Sequence, residues 1–136
     1  MKSEELRMEN KDNKKPVVLE KSFDFSLRVI RFYQELKKQG GEAVILGRQL
    51  LRSGTSIGAN IHEAQGGQSK ADFIAKMSIA HKESLETLYW LRLIQESGVS
   101  SGCNVQERIE DAQELIRILS SILLTSKNSR VVSSRF

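Results

Sequence analysis

The chain has 136 residues, and its 21 basic and 17 acidic side chains give a net charge of +4. This length favours one domain, with a core large enough to need no disulfide or metal staple. The single cysteine, Cys103, excludes an internal disulfide and fits a reducing compartment. No apolar run approaches the ~18–20 residues of a membrane span, so we expect a cytoplasmic protein without a membrane segment.

The charge excess lies at the two ends of the chain. Residues 1–21 carry six bases against five acids, residues 127–136 carry three bases and no acid, and residues 22–126 are balanced. A basic protein often binds a polyanion, but here the excess does not predict a basic face on the folded body. The candidate nucleic-acid contacts are therefore basic residues of the ends: Lys14, Lys15, Lys127, Arg130 and Arg135.

The first segment, residues 1–21, is predicted to be a flexible, charged arm, because its first 16 residues are polar and show no apolar period. The first helix is predicted from about Ser22, as N-cap, to Gln39, where two glycines follow. Its main apolar positions have 4-3-4 spacing, and a second apolar row follows another side of the helix: Phe23, Leu27 and Ile30.

A second helix is predicted over Glu42–Gln65, ending at a pair of glycines. Its apolar and small residues hold an unbroken 4-3 heptad spacing from Ala43 to Ala64. Gly47 and Gly54 lie on this seam, although glycine in a helix interior costs ~1 kcal/mol relative to alanine. We therefore expect a neighbouring backbone to approach closely at these two glycines.

The third helix is predicted from about Ser69, which forms a capping box with Asp72, to Ser97 before Gly98. One apolar stripe faces the core. A second stripe lies well over 100° away and holds Ile79, Tyr89, Trp90, Leu93 and Ile94.

The fourth helix is predicted over about Val105–Ser126, with Asn104 as its cap and Glu107 in the first turn. Residues 127–136 are predicted to be a basic, flexible tail.

Four amphipathic helices with short connections predict an all-α, antiparallel up-down four-helix bundle over residues 22–126. The doubled apolar faces exceed what one small bundle buries, which favours a closed homo-oligomer. The alternative is that some of these residues are simply exposed. The predicted oligomer interface comprises Ile79, Tyr89, Trp90 and Leu93.

A catalytic site, a cofactor and a metal site are not expected. His62 and His81 lie on different helices, and neither has the carboxylate or second histidine at helical spacing that a bundle metal site requires. Ser53 and Ser56 lie near no acid–base pair. The Gly66–Lys70 connection lacks the phosphate-loop pattern, so we expect neither an enzyme nor a small-molecule substrate.

A row of polar residues follows one side of the second helix, at steps of four, four and three. This row, with Glu86 on the third helix as the expected partner of Arg52, predicts a structural polar network: Arg52, Ser56, Asn60, Glu63 and Glu86. The alternative is a solvated helix flank with Glu86 turned outward.

The stretch from Leu51 to Ala64, LRSGTSIGANIHEA, resembles the Arg…Ser-Ile…Asn-Ile-x-Glu-Gly signature of a bacterial four-helix-bundle family. This family is named for proteins encoded in intervening sequences of 23S ribosomal RNA genes. Residues 69–73 and 78–86 resemble its third-helix pattern. The chain departs from the family at Ala64, where glycine is usual, and in its N-terminal arm.

The resemblance implies a homopentameric ring and no enzyme activity. It also implies a relation to a basic, nucleic-acid-binding accessory protein of diversity-generating retroelements. The leading functional hypothesis is a non-enzymatic oligomeric adaptor that binds RNA or a nucleoprotein. The alternative is a protein-binding scaffold without nucleic-acid contact.

Overall fold

The fold consists of four long helices preceded by one small pair of strands. In the computed structural model, residues 9–10 and 15–134 are described, with side chains over residues 16–128. Strands β1 (Glu9–Asn10) and β2 (Lys15–Pro16) pair antiparallel. The helices that follow are α1 (Val17–Leu36), α2 (Glu42–Gln65), α3 (Lys70–Ser97) and α4 (Val105–Ser134). The prediction of an all-α chain with four helices is confirmed.

The start of α1 corrects the predicted boundary between arm and bundle. The helix begins at Val17 rather than Ser22, so the predicted arm over residues 1–21 extended too far. Pro16 precedes the first turn with φ −57°, which its ring fixes close to the helical value. Ser22 is not a cap: it is fully buried inside the helix, and its hydroxyl donates to the Leu19 carbonyl. Burial of Val18 and Ser22 accounts for the extra turn.

Helix α2 has the predicted bounds, but its glycines meet different neighbours than expected. A Cβ at Gly47 would lie 2.7 Å from the Tyr33 ring, and one at Gly54 would lie 3.1 Å from the Val29 methyls. The nearest atoms at both positions therefore belong to side chains of α1 and not, as expected, to its backbone. A backbone atom is the nearest neighbour at Gly58, where a Cβ would lie 3.2 Å from the Ser22 carbonyl oxygen.

The caps of α3 and α4 follow the prediction. The Ser69 hydroxyl accepts a hydrogen bond from the Asp72 amide at 3.1 Å, and Gly98 ends α3 with φ 80°. The Asn104 side chain accepts from the Glu107 amide at 3.2 Å. Helix α4 continues to Ser134, beyond the predicted end at Ser126, so residues 127–134 belong to the helix. Residues 105–134 contain no glycine or proline that would end the helix earlier.

The helices pack as an antiparallel bundle. Ser53 and Glu63 on α2 contact Thr87 and Lys76 on α3, so later residues of one helix meet earlier residues of the next. Apolar residues of all four helices form one core. Its largest fully buried members are Phe73, Leu36, Leu50, Ile57, Ile61, Met77, Leu91, Ile94, Leu115, Leu119, Val18 and Val29. Ile94 therefore belongs to the core and not to the second apolar face of α3.

Two ion pairs connect α1 to α4. Lys21 lies 3.1 Å from Glu114, and Arg28 lies 3.2 Å from Asp111. The hydrogen bond to Asp111, together with that carboxylate's charge, raises the pKa of the Arg28 guanidinium. These pairs hold the first and last helices in antiparallel register.

Candidate interaction surfaces

The predicted polar row reaches α3 at Arg52. Its guanidinium forms an ion pair with the Glu86 carboxylate, and its Nη1 lies 3.6 Å from Oε1 of Glu83. The Trp90 indole N–H donates to the same Glu86 carboxylate at 3.0 Å. The Arg52 and Glu86 side chains are 52% and 37% exposed, so their ion pair contributes only ~0–1 kcal/mol. What the cluster provides is a fixed orientation for Trp90.

The remaining members of the predicted network do not join this cluster. The Asn60 amide donates to the Ser56 carbonyl at 2.9 Å and to its hydroxyl at 3.2 Å, both within α2. Glu63 pairs with Lys76 at 2.7 Å. At a rise of 1.5 Å per residue, the row from Arg52 to Glu63 extends over about 16 Å. Within the protomer the row therefore forms three separate groups: Arg52 with Glu86, Ser56 with Asn60, and Glu63 with Lys76.

Three residues that sequence reasoning left out of the network lie beside Arg52. Oε1 of Glu83 is buried without a hydrogen-bond partner among the described residues, and its nearest cation is Arg52. Below it, the Thr87 hydroxyl lies 3.0 Å from that of Ser53, and both side chains are fully buried. The spacing of Ser53, three residues after the core residue Leu50, could have indicated its burial.

The structure divides the predicted oligomer interface into two groups. Ile79 and Tyr89 are 41% and 56% exposed. Trp90 is half-buried and packs against the core, and Leu93 is also half-buried. Leu85, Tyr89 and Leu93 follow one another at four-residue steps and border a shallow hollow of about 370 Å³. We call these three residues the α3 ridge.

A second apolar surface lies between α1 and α2. Two adjoining hollows of about 360 and 480 Å³ share Phe23 and His62 as lining residues. We define the α1/α2 groove by Leu19, Phe23, Ile30, Ala59 and His62. Phe23 is 58% exposed and Ile30 37% exposed. The sequence indicated the apolar row with Phe23 and Ile30 but not the groove that it borders, and it assigned Leu19 to the arm.

The candidate nucleic-acid contacts are only partly described. Lys14 and Arg135 lie outside the described residues. Lys15 belongs to β2 and Arg130 to α4, and for these two the structure describes the backbone alone. Lys127 is exposed on α4. The structure thus locates three of these five basic residues: one in β2, before α1, and two in the last part of α4.

The described residues contain no group of three or more histidine, cysteine or acidic side chains that could hold a metal ion. His62 lines the α1/α2 groove, whereas His81 Nε2 lies 2.9 Å from the Ser120 hydroxyl between α3 and α4. No carboxylate among the described residues hydrogen-bonds to His81, so this pair lacks the third member of a catalytic triad.

The shifts of two further groups have local causes. Burial raises the pKa of the Cys103 thiol, and the hydrogen bond to Glu35 raises the pKa of the exposed Lys38 ammonium. A thiol with a raised pKa is a poor nucleophile at neutral pH. In the described part of the chain, no helix is both long enough and apolar enough to cross a membrane.

Comparison with known proteins agrees with this geometry. The sequence model described as 23S rRNA-intervening sequence protein matches residues 14–121. The chain belongs to the 23S rRNA-intervening sequence protein family. The matched range covers α1, α2 and α3 and most of the buried part of α4.

A solved structure is similar in fold to this family member. It is a protein of unknown function from the S23 ribosomal protein family of Bacteroides thetaiotaomicron VPI-5482, with a TM-score of 0.70 and 39% sequence identity. The match covers 79% of this chain and 98% of that one. Among functionally curated proteins, none matches this chain.

Proposed function

We propose that this chain is a non-enzymatic, homo-oligomeric adaptor, a pentamer, that binds RNA or a nucleoprotein in the cytoplasm. One observation carries the proposal: the antiparallel topology places the start of α1 and the end of α4, to which the two basic ends of the chain are attached, at the same end of the bundle. Lys15 lies in β2, directly before α1. From Glu114, which pairs with Lys21, α4 continues toward that end as far as Ser134.

Convergence of the ends makes a polyanion a suitable partner. Each end alone has a small excess of positive charge, but together they concentrate it away from the charge-balanced body. Lysine and arginine bind phosphates by releasing counterions, so binding weakens steeply as salt increases. Several copies of this end in one oligomer would extend the basic surface.

A labelled RNA hairpin, titrated in increasing salt, tests the proposal. Replacing Lys127, Arg130 and Arg135 by glutamine should weaken binding about tenfold at low salt and reduce the salt slope by about 0.7–0.9 for each phosphate that the variant no longer neutralises. The matched control replaces Lys37, Lys38 and Arg48, which removes the same charge at the opposite end of the bundle, and should retain near-native affinity. Absence of RNA binding at low salt would contradict the proposal.

A protein-binding scaffold is the second candidate, and the charge-neutral body of residues 22–126 favours it. Native mass spectrometry separates assembly from RNA binding, because a pentamer that binds no RNA retains the oligomer and loses the nucleic-acid role. A monomer at micromolar concentration would contradict both candidates.

A further inference from the structure

Two apolar surfaces of the protomer differ in shape. The α3 ridge is formed by one helix, and at 100° per residue its Tyr89 lies roughly 160° from the core-facing stripe of α3. The ridge therefore projects away from the bundle. The α1/α2 groove lies between two helices, with small residues such as Gly58 and Ala59 along the α2 side.

A projecting helix face fits a groove between two helices better than it fits another projecting face. Two copies of the groove placed together would insert no projecting side chain into either hollow, whereas Tyr89, 56% exposed on a single helix, can enter the groove. Shape therefore favours contact between unlike surfaces, with the ridge of one molecule against the groove of another.

The exposed area favours the same arrangement. An aromatic side chain presents 150–250 Å², so Phe23 and Tyr89, at 58% and 56% exposure, each leave roughly 100 Å² in water. A stable interface needs about 800 Å² per partner with an apolar centre. A two-fold dimer through one surface would leave the other exposed, whereas a head-to-tail ring buries both on every protomer.

On these grounds, and resting on the proposed oligomer, we infer that the α3 ridge of one copy docks into the α1/α2 groove of the next copy. Tyr89 of the ridge lies against Phe23 and Ile30 of the neighbouring groove. The ion pair between Arg52 and Glu86 supports the contact by holding Trp90, the residue after Tyr89, in place. Each protomer thereby makes two unlike contacts, one through its ridge and one through its groove, as a head-to-tail ring requires.

Mixing two single variants tests the pairing. Phe23→Lys removes the groove and leaves the ridge, and Tyr89→Lys removes the ridge and leaves the groove. Each variant alone should be monomeric by native mass spectrometry. A one-to-one mixture retains one intact contact and should form a heterodimer containing one copy of each variant. Gln113→Lys, at an exposed position of α4, is the control for added charge and should assemble like the wild type.

The other outcomes overturn the inference. Homodimers of either variant alone would show that like surfaces pair, and a mixture that stays monomeric would show that the two surfaces do not bind each other. Wild-type assembly by both variants would place the interface elsewhere, while a monomeric wild type would refute the oligomer itself. If circular dichroism shows either variant unfolded, Ile30→Lys and Leu85→Lys repeat the test on the same two surfaces.

Discussion

At the scale of single residues, two adjacent aromatic side chains of α3 lie in different environments, one against the core and one at the surface. Trp90 and Tyr89 are neighbours in sequence and make an edge-to-face contact with ring centroids 5.2 Å apart. Trp90 packs against the core and donates to Glu86, whereas Tyr89 is 56% exposed. We therefore expect the two aromatic residues to contribute to different free energies: Trp90 to folding, and Tyr89 to the proposed contact with a neighbouring copy.

Alanine substitutions should separate these contributions. Trp90→Ala removes a half-buried indole and leaves Glu86 without one of its donors, so we expect the free energy of unfolding of the protomer to fall by about 2 kcal/mol. Tyr89→Ala should lower it by less than ~0.5 kcal/mol. Urea denaturation of dissociated protein at low concentration, followed by far-ultraviolet circular dichroism, measures both for the protomer alone; fluorescence is unsuitable because Trp90 is the only tryptophan. The reverse order would mean that Tyr89, not Trp90, supports the protomer.

Sequence reasoning could predict the partner of Arg52 but not the burial of Trp90. A glutamate within an apolar face needs a cation as its partner, and the polar row of α2 contains one, Arg52. The burial of Trp90 depends on how closely α2 approaches α3 at that level. The periodicity of α3 alone places Trp90 between core and solvent and does not decide between them.

At the scale of helices, the contact between α1 and α2 depends on Gly58. Its Cα faces the Ser22 carbonyl, part of the α1 backbone, while the neighbours of Gly47 and Gly54 are side chains. A side chain can turn aside, but a backbone carbonyl moves only with its helix. Gly58 is therefore the position that sets the separation of the two helices beneath the α1/α2 groove.

Gly58→Ala should destabilise the protein by about 1–2 kcal/mol, because overpacking against the α1 backbone exceeds the gain of ~1 kcal/mol in helix propensity. Gly66→Ala is the matched control, since its Cβ would meet only the Glu63 carbonyl oxygen at 3.8 Å and its φ is −92°. We expect that change to be neutral or slightly stabilising. Thermal denaturation of the two variants makes the comparison, and equal midpoints would show that α1 moves freely.

Element boundaries were predictable where a side chain or a glycine marks the end. Ser69, Gly98 and Asn104 provide such local signals and the structure uses them. The start of α1 has no side-chain cap, and its position follows from burial of Val18 in the assembled bundle. A sequence read one segment at a time does not contain that information, because tertiary packing supplies the stabilisation.

At the scale of the whole molecule, assembly and RNA binding are expected to be coupled. The sequence indicated surplus apolar faces and basic ends, but which faces pair and which ends converge are properties of the packed bundle. A single basic end carries few charges, so its affinity for RNA should be low. In the proposed oligomer, several ends would bind a long RNA together, and each further contact would then form at a high effective concentration.

Uncharged substitutions that dissociate the oligomer test this coupling. Tyr89→Gln and Phe23→Gln leave the charge and the basic ends unchanged, yet in the dissociated protein each RNA contact must form separately. We expect affinity for an RNA long enough to span several subunits to fall by about 10²-fold or more. The salt slope should become shallower, because fewer counterions are released in each binding event. A short RNA that reaches only one subunit serves as the control, since its weaker binding should be the same for wild type and variants. If the dissociated variants bind both RNAs as tightly as the wild type does, each subunit binds RNA alone and the oligomer adds nothing to recognition.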